Sequence, residues 1–353
     1  MASSTIPTPD LKSNEKKASI IFLILIAIAP GLFALTLFFG YGSLLNIAIA
    51  SMTAIICEAC ILKLRKRPVI YHLKDLSALL TAVLLGISLP PLIVWWIPVV
   101  GAFFSTVIAK NLYGNRGYHP FNPAMIGYAV LLVSFPIQMS TWPAPINMND
   151  SISGLPTLWE SMKIVFPSIN IETTGDLIAN TLNQVDAYTA ATPLDIFRQN
   201  SSLLIGQLYS QNIYFIQGVW AGYAWEWINI CFFLGGCFLL YRKIYTWHIP
   251  FGVLIALIIF PSIFYDGGSS LSLGSPIFHL LSGATMLGAF FIASDPVTSP
   301  INNRGKVLYG VAIGILIFVI RSTGSYPDAI AFAVLVMNFF APLIDKCTKQ
   351  IDR

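Results

Sequence analysis

Long apolar runs separated by short polar connections set the rhythm of this chain. Before residue 140 they cover Ala18 to Phe39, Leu44 to Leu62, Leu76 to Leu89, Leu92 to Ile108 and Phe121 to Met139. A polar stretch follows, and then Ala221 to Tyr241, Ile249 to Tyr265, Ile277 to Ala293, Val307 to Ile320 and Ala329 to Ile344. A perpendicular membrane helix needs roughly 20 such residues, so several of the later runs are short for a span. Two groups of five runs predict an all-α polytopic membrane protein with about ten transmembrane helices.

Composition agrees, since 56% of the residues are hydrophobic and 10% charged. With a mean hydropathy of +0.73, a water-soluble domain of this length is excluded. The first run follows Lys12, Lys16 and Lys17, exceeds a signal-peptide core and lacks a convincing cleavage site, so it is read as a retained first span.

Charge placement sets the orientation, because Lys and Arg near span ends accumulate on the cytoplasmic side. With ten spans and the N-terminus inside, only Lys163, Arg198 and Arg321 of the 20 basic residues fall outside. An odd number of spans would put one basic terminus on the wrong face. The expected organisation is therefore a cytoplasmic tail over 1–17, a five-helix half over 18–139, an extracytoplasmic insert over 140–212, a second half over 213–345 and a cytoplasmic tail over 346–353. The insert carries Asp150, Glu160, Glu172, Asp176, Asp186 and Asp195 against two basic residues. It is long for a connection, which points to function, and its Leu, Ile and Tyr content argues for partial folding against the membrane or a partner.

Five spans per half start the second half on the opposite side from the first, the arithmetic of an inverted-topology repeat. The third span breaks at Leu89-Pro90-Pro91 and the eighth begins in Gly274-Ser275-Pro276, so interrupted helices take matching positions. Such breaks can place free backbone groups around a buried site, although Pro and Gly are also simply common in membrane helices.

Few groups inside the runs carry chemistry. Glu58 is the clearest intramembrane acid and is read as a proton, ion or helix-pairing group. His279 and Asp295 come near the ends of the eighth span, and Glu226 and Asp266 lie near the outer interface. Cys57 and Cys60 have Cys-x-x-Cys spacing but sit within the second span, and a cluster would need further thiolates, so the five cysteines are read as buried and free and no metal is expected. Trp95, Trp96, Trp225 and Trp227 are read as interfacial belts, although stacking against a ring would look the same in sequence. No Gly-x-Gly-x-x-Gly follows a predicted strand, so NAD is not bound here in the usual manner. No nucleic-acid partner is expected.

Within the insert, Asp186-Ala187-Tyr188-Thr189-Ala190-Ala191-Thr192-Pro193-Leu194 resembles the signal at which a flavin transferase esterifies the phosphate of FMN to the final threonine. Thr192 is the expected anchor, with Asp186 and Thr189 completing the motif. The phosphate supplies the electrophile, so the chain need contribute only a hydroxyl and small neighbours. Asp186 is read either as helping the transferase orient the acceptor or as a solvated turn former. Ser282-Gly283-Ala284-Thr285 looks similar, but His279 stands in the aspartate's place and the site lies in a membrane span, so Thr285 is read as structural.

Two further segments extend the likeness: Asn111 to Asn115 with His119-Pro120-Phe121-Asn122-Pro123-Ala124-Met125, and His279 to Met286 continuing to Ala293-Ser294-Asp295-Pro296-Val297-Thr298-Ser299-Pro300. With the span count and the insert, they make the chain resemble the RnfD family, membrane subunits of Rnf-type ion-translocating electron transport complexes. A departure is Ala190, where the family commonly has Gly. The resemblance implies a flavin-bearing subunit of a bacterial inner-membrane complex that carries electrons between ferredoxin- and NAD-linked subunits and couples them to Na⁺ or H⁺ movement. It implies covalent FMN and allows a second, noncovalent flavin (riboflavin or FMN) whose pocket no residue identifies. Its expected partners are the other membrane and peripheral subunits of the Rnf complex and the flavin transferase. The NqrB component of the Na⁺-pumping NADH:quinone reductase is a close relative, usually with a longer N-terminal region; a flavin-free inverted-repeat transporter is the competitor from another class.

Overall fold

The computed structural model describes residues 11–112, 119–146, 148, 155–167, 189–200, 203–265, 274–324 and 329–351. Asp186, Asp266 and, in the insert, Asp150, Glu172 and Asp176 lie outside the described residues.

The first half runs through α1 (Leu11–Phe39), α2 (Gly42–Leu64), the short α3 (Val69–Leu73), α4 (Ser77–Ser88), α5 (Trp96–Phe103, continuing as a π-helix over Phe104–Leu112) and α6 (Pro123–Ser134). The insert contributes α7 (Pro136–Ser140), β1 (Trp142–Pro143), α8 (Leu158–Val165), β2 (Thr189–Ala190), α9 (Pro193–Gln199) and α10 (Ile205–Gln211). The second half contains α11 (Ile213–Gln217), α12 (Trp225–Tyr241), α13 (His248–Phe264), α14 (Pro276–Leu281), α15 (Thr285–Leu287, continuing as a π-helix over Gly288–Ile292), α16 (Asn303–Thr323) and α17 (Ile330–Ile351).

Among the described residues, four stretches are long and apolar enough to cross a membrane by themselves: Glu15–Phe39, Gly42–Leu64, Asn303–Thr323 and Ile330–Thr348. Five shorter apolar helices and the interrupted α14–α15 unit fill the other expected positions, so the chain is a polytopic all-helical membrane protein. The expected break after the third span is present: α4 ends at Ser88, and Asn46 Nδ2 on α2 donates to the Pro90 carbonyl at 2.8 Å. The fifth run is shorter than its hydropathy suggests, because Phe135 (φ −134°, ψ 58°) and Pro136 end α6 at Ser134 and start α7.

The halves meet through corresponding helices, α1 along α12 and α6 against α17. Small residues permit the close approaches, as hydrocarbon offers no hydrophobic gain for helix association. A Cβ on Gly235 of α12 would stand 1.9 Å from the Ala27 carbonyl oxygen of α1. Between α13 and α16, a Cβ on Gly310 would come within 2.5 Å of the Ile249 carbonyl, and one on Gly314 within 2.7 Å of the Val253 carbonyl.

The described parts of the insert pack onto one end of this chain's own bundle. Ile146 N donates to the Phe38 carbonyl at 2.9 Å, and Trp95 N to Val165 at 3.0 Å. Phe197 of α9 lies 4.3 Å from the Phe278 ring of α14 and 5.4 Å from Phe215 of α11. Tyr209 stacks on Phe215 at 4.6 Å, and burial pushes its hydroxyl up to about 12.

Candidate functional site

Thr192 sits where the insert meets the bundle. Pairing of β1 with β2, Trp142 opposite Ala190 and Pro143 opposite Thr189, fixes the strand that leads into it. Pro193 then starts α9 at the position where its missing N–H costs nothing, and Thr192 becomes the N-cap. Its Oγ1 accepts from Asp195 N at 3.3 Å and donates to Asp195 Oδ2 at 2.6 Å, while Thr192 N donates to the same carboxylate oxygen at 3.3 Å. This is a reciprocal capping box. Behind it lies the tight turn at Gly222 (φ 114°), where a Cβ would come within 2.8 Å of Pro193. Glu226 secures that loop: fully buried, its carboxylate accepts from the backbone N–H groups of Val219, Trp220 and Ala221 at 2.9–3.2 Å.

Two spaces open from this point. Inward, a cavity of about 70 Å³ reaches into the bundle, lined by Thr192 with Leu35, Tyr128, Trp142, Trp225 and Ala284 among others. Its wall is apolar and aromatic: the Trp142 and Trp225 rings lie 5.0 Å apart, each edge-on to Phe39. Outward, a polar cleft is lined by Ser140, Thr141, Thr189, Ala190, Ala191, Asp195, Arg198 and Gln199. Thr192, 7% exposed, lines the cavity, while its neighbour Ala191 and its capping partner Asp195 line the cleft. Trp225 is therefore no interfacial belt residue: it is buried against the cavity, whereas Trp95 and Trp227 are 40% and 46% exposed.

The cavity's far wall is the break in the eighth span. The chain leaves α14 at Leu281, turns through Gly283 (φ 56°) and resumes at Thr285. Hydrocarbon tolerates such a break only where protein satisfies the freed backbone groups, and two buried side chains do so. Asn229 of α12 donates to the Leu281 and Gly283 carbonyls at 2.9 and 2.8 Å and accepts from Met286 N at 3.0 Å. Arg321 of α16, 5% exposed, donates to the His279 carbonyl at 2.9 Å, to Ser282 at 3.4 Å and to Thr285 Oγ1 at 3.0 Å. Thr285 is wholly buried, and its hydroxyl donates to the His279 and Ser282 carbonyls at 2.9 Å. The hydroxyl is thus committed to carbonyls of the broken helix. Arg321, expected on the extracytoplasmic side as an exception to the charge bias, is a buried bracket for the broken helix.

Glu58 lies elsewhere, at the basic end of α2. Both carboxylate oxygens accept from Lys110 Nζ at 2.8 Å, and Lys110 also donates to Ser77 Oγ at 2.7 Å. Lys110 belongs to the π-helical continuation of α5 rather than to a loop. Of the expected roles for Glu58, helix pairing is the one this geometry supports. None of the five cysteines is fully buried as expected: Cys57, Cys231 and Cys237 are half-buried, and Cys60 and Cys347 are exposed.

At the same end the other two motif segments meet. Asn122 caps α6, accepting from Ala124 N and Met125 N, and donates to the Ile292 carbonyl at 3.2 Å. Asp295 accepts from Val297 N at 3.1 Å and from Thr298 Oγ1 at 3.4 Å. Burial pushes Asp295 up and His119 down, and the attraction between the two works against both shifts.

Fold and site together define a class: a polytopic helical membrane protein whose halves enclose an aromatic-lined cavity with a threonine hydroxyl at its mouth. The chain belongs to the NQR2, RnfD, RnfE family, whose pattern matches residues 4–352. It is 47% identical over 351 residues to the D subunit of the ion-translocating oxidoreductase complex of Cellvibrio japonicus, covering 99% of this chain and 94% of that protein. The corresponding protein of Pseudomonas aeruginosa strain UCBPP-PA14 is 46% identical over 343 residues, 97% of this chain and 93% of its own. That of Yersinia pseudotuberculosis is 45% identical over 351 residues, 97% of this chain and 95% of its own.

Proposed function

We propose that this chain is the flavin-bearing membrane subunit of an ion-translocating electron transport complex, with the phosphate of FMN esterified to Thr192. The observation that carries the reading is the position of Thr192 on the wall of an aromatic cavity, with its neighbour Ala191 and its capping partner Asp195 on a polar cleft. When bound, FMN supplies one- and two-electron redox chemistry.

The chain's own residues do the rest. Trp142, Trp225 and Tyr128 give planar surfaces and exclude water from the inner space, while Arg198 lines the cleft where a phosphate's charge emerges. Asn229 and Arg321 hold the broken helix that closes the far wall. The asymmetry of basic residues supports a periplasmic position for this end of the bundle, with the protein in the inner membrane and both termini inside. Electrons from cytoplasmic ferredoxin- or NAD-linked subunits then cross the membrane to reach Thr192 and return, which gives Na⁺ or H⁺ movement a process to couple to.

The test is in-gel flavin fluorescence of the denatured chain made with its transferase, comparing wild type, Thr192→Val and Thr285→Val. Fluorescence lost only in Thr192→Val supports the reading. A dark wild-type band refutes it.

A further inference from the structure

A threonine hydroxyl is a weak nucleophile until a base takes its proton, and in this fold one carboxylate is aimed at it. Asp195 Oδ2 lies 2.6 Å from Thr192 Oγ1, with the hydroxyl as donor. That is within the reach required of a general base, about 2.6–3.2 Å. We propose that Asp195 is the proton acceptor for flavin attachment at Thr192, an inference that rests on Thr192 being the attachment residue.

The geometry favours this beyond simple capping. A capping box requires only that the threonine oxygen accept from Asp195 N and that the carboxylate accept from Thr192 N, and both bonds are present at 3.3 Å. The much shorter third contact commits the hydroxyl proton to the carboxylate. The hydroxyl's lone pairs then serve Asp195 N weakly and are available to an electrophile. Asp195 is half-buried and also lines the outer cleft, together with Arg198, so an approaching phosphate and the base share one entrance.

The donor is a flavin nucleotide whose phosphate carries a leaving group, such as the pyrophosphate of a flavin dinucleotide. Thr192 Oγ1 forms a bond to the flavin-side phosphorus, the bond from that phosphorus to the bridging oxygen breaks, and a nucleoside monophosphate leaves. The hydroxyl proton passes to Asp195 Oδ2 and from there to water in the cleft. Nothing is oxidised or reduced. Once the ester exists Oγ1 has no proton to donate, so the 2.6 Å contact belongs to the unmodified chain and Asp195 is released from it.

The full-length chain in detergent, made without transferase, is incubated with purified transferase and flavin dinucleotide, and covalent fluorescence is followed in time. Asp195→Asn keeps the box, since the amide oxygen accepts the same bonds, but takes up no proton. Asp195→Glu keeps the base. We expect Asp195→Asn to slow attachment on the order of 100-fold and Asp195→Glu to stay within about 10-fold of wild type. Attachment of Asp195→Asn at the wild-type rate overturns the proposal, as does equal loss in both variants, which marks a purely positional role. Failure of Thr192 as the anchor is distinguishable: fluorescence then persists in Thr192→Val or is missing from the wild type.

Discussion

The pair formed by Glu58 and Lys110 allows the sharpest prediction about what holds the first half together. At 2.8 Å and an effective dielectric constant of about 20, the attraction is on the order of 6 kcal/mol. Both side chains are nearly buried, at 7% and 11% exposure, and withdrawing each ion from water costs several kcal/mol, so the pair as a whole comes close to neutral. Removing one partner is different, because it strands the other charge. Glu58→Leu and Lys110→Met should each destabilise the chain by about 3–5 kcal/mol, and the double variant should recover most of that loss. Ser77 Oγ moderates the Glu58→Leu cost, as it still accepts from the ammonium. The assay is a double-mutant cycle on reversible unfolding in mild detergent, with ion uptake by the reconstituted complex measured in parallel. Singles costing under about 1 kcal/mol with no coupling would refute the argument. A stable double variant that no longer moves ions would place the pair on the ion path, beyond helix pairing.

Three further outcomes follow from other contacts. Gly235→Val should separate α1 from α12 or prevent stable assembly, because its Cβ would meet the Ala27 carbonyl at 1.9 Å; an unchanged melting temperature would show that the helices can shift at no cost. Arg321→Met removes the charged donor to the His279 carbonyl, leaving it to the Thr285 hydroxyl, and should cost about 1–3 kcal/mol, read as faster hydrogen exchange over 279–286 than in wild type. His119 is held below its ordinary 6.5 by burial, so its contribution to stability is full above 6.5 and is lost as pH falls through its lower folded value; His119→Gln should flatten the decline in melting temperature below pH 6.5, and parallel curves would count against it.

Hydropathy made the architecture legible, because spans must be apolar wherever lipid surrounds them. Glu58 and the break at Pro90 could be read from single positions for the same reason. The roles of Arg321 and Lys110 could not: a basic residue near a span end reads as solvated, and only the fold shows that the broken helix and Glu58 draw these two inward. Trp225 illustrates another limit, since an aromatic at a helix start looks the same whether it faces headgroups or a cavity. Asn229 left no signal, because its three partners on the broken helix lie more than fifty residues away in sequence. The cap at Thr192 was available in Thr192-Pro193-Leu194-Asp195, whose spacing is that of a capping box. Asp186, by contrast, falls outside the described residues, so its relation to Thr192 rests on sequence alone.

The central claim is that Thr192 carries the flavin, and peptide mass mapping of the chain purified from membranes in which its complex is assembled addresses it directly. The account predicts a phosphoester-linked FMN on the peptide containing Thr192, with fragment ions assigning the added mass to that residue and with the Thr285 peptide unmodified. An unmodified Thr192 in an assembled complex that turns over would contradict it.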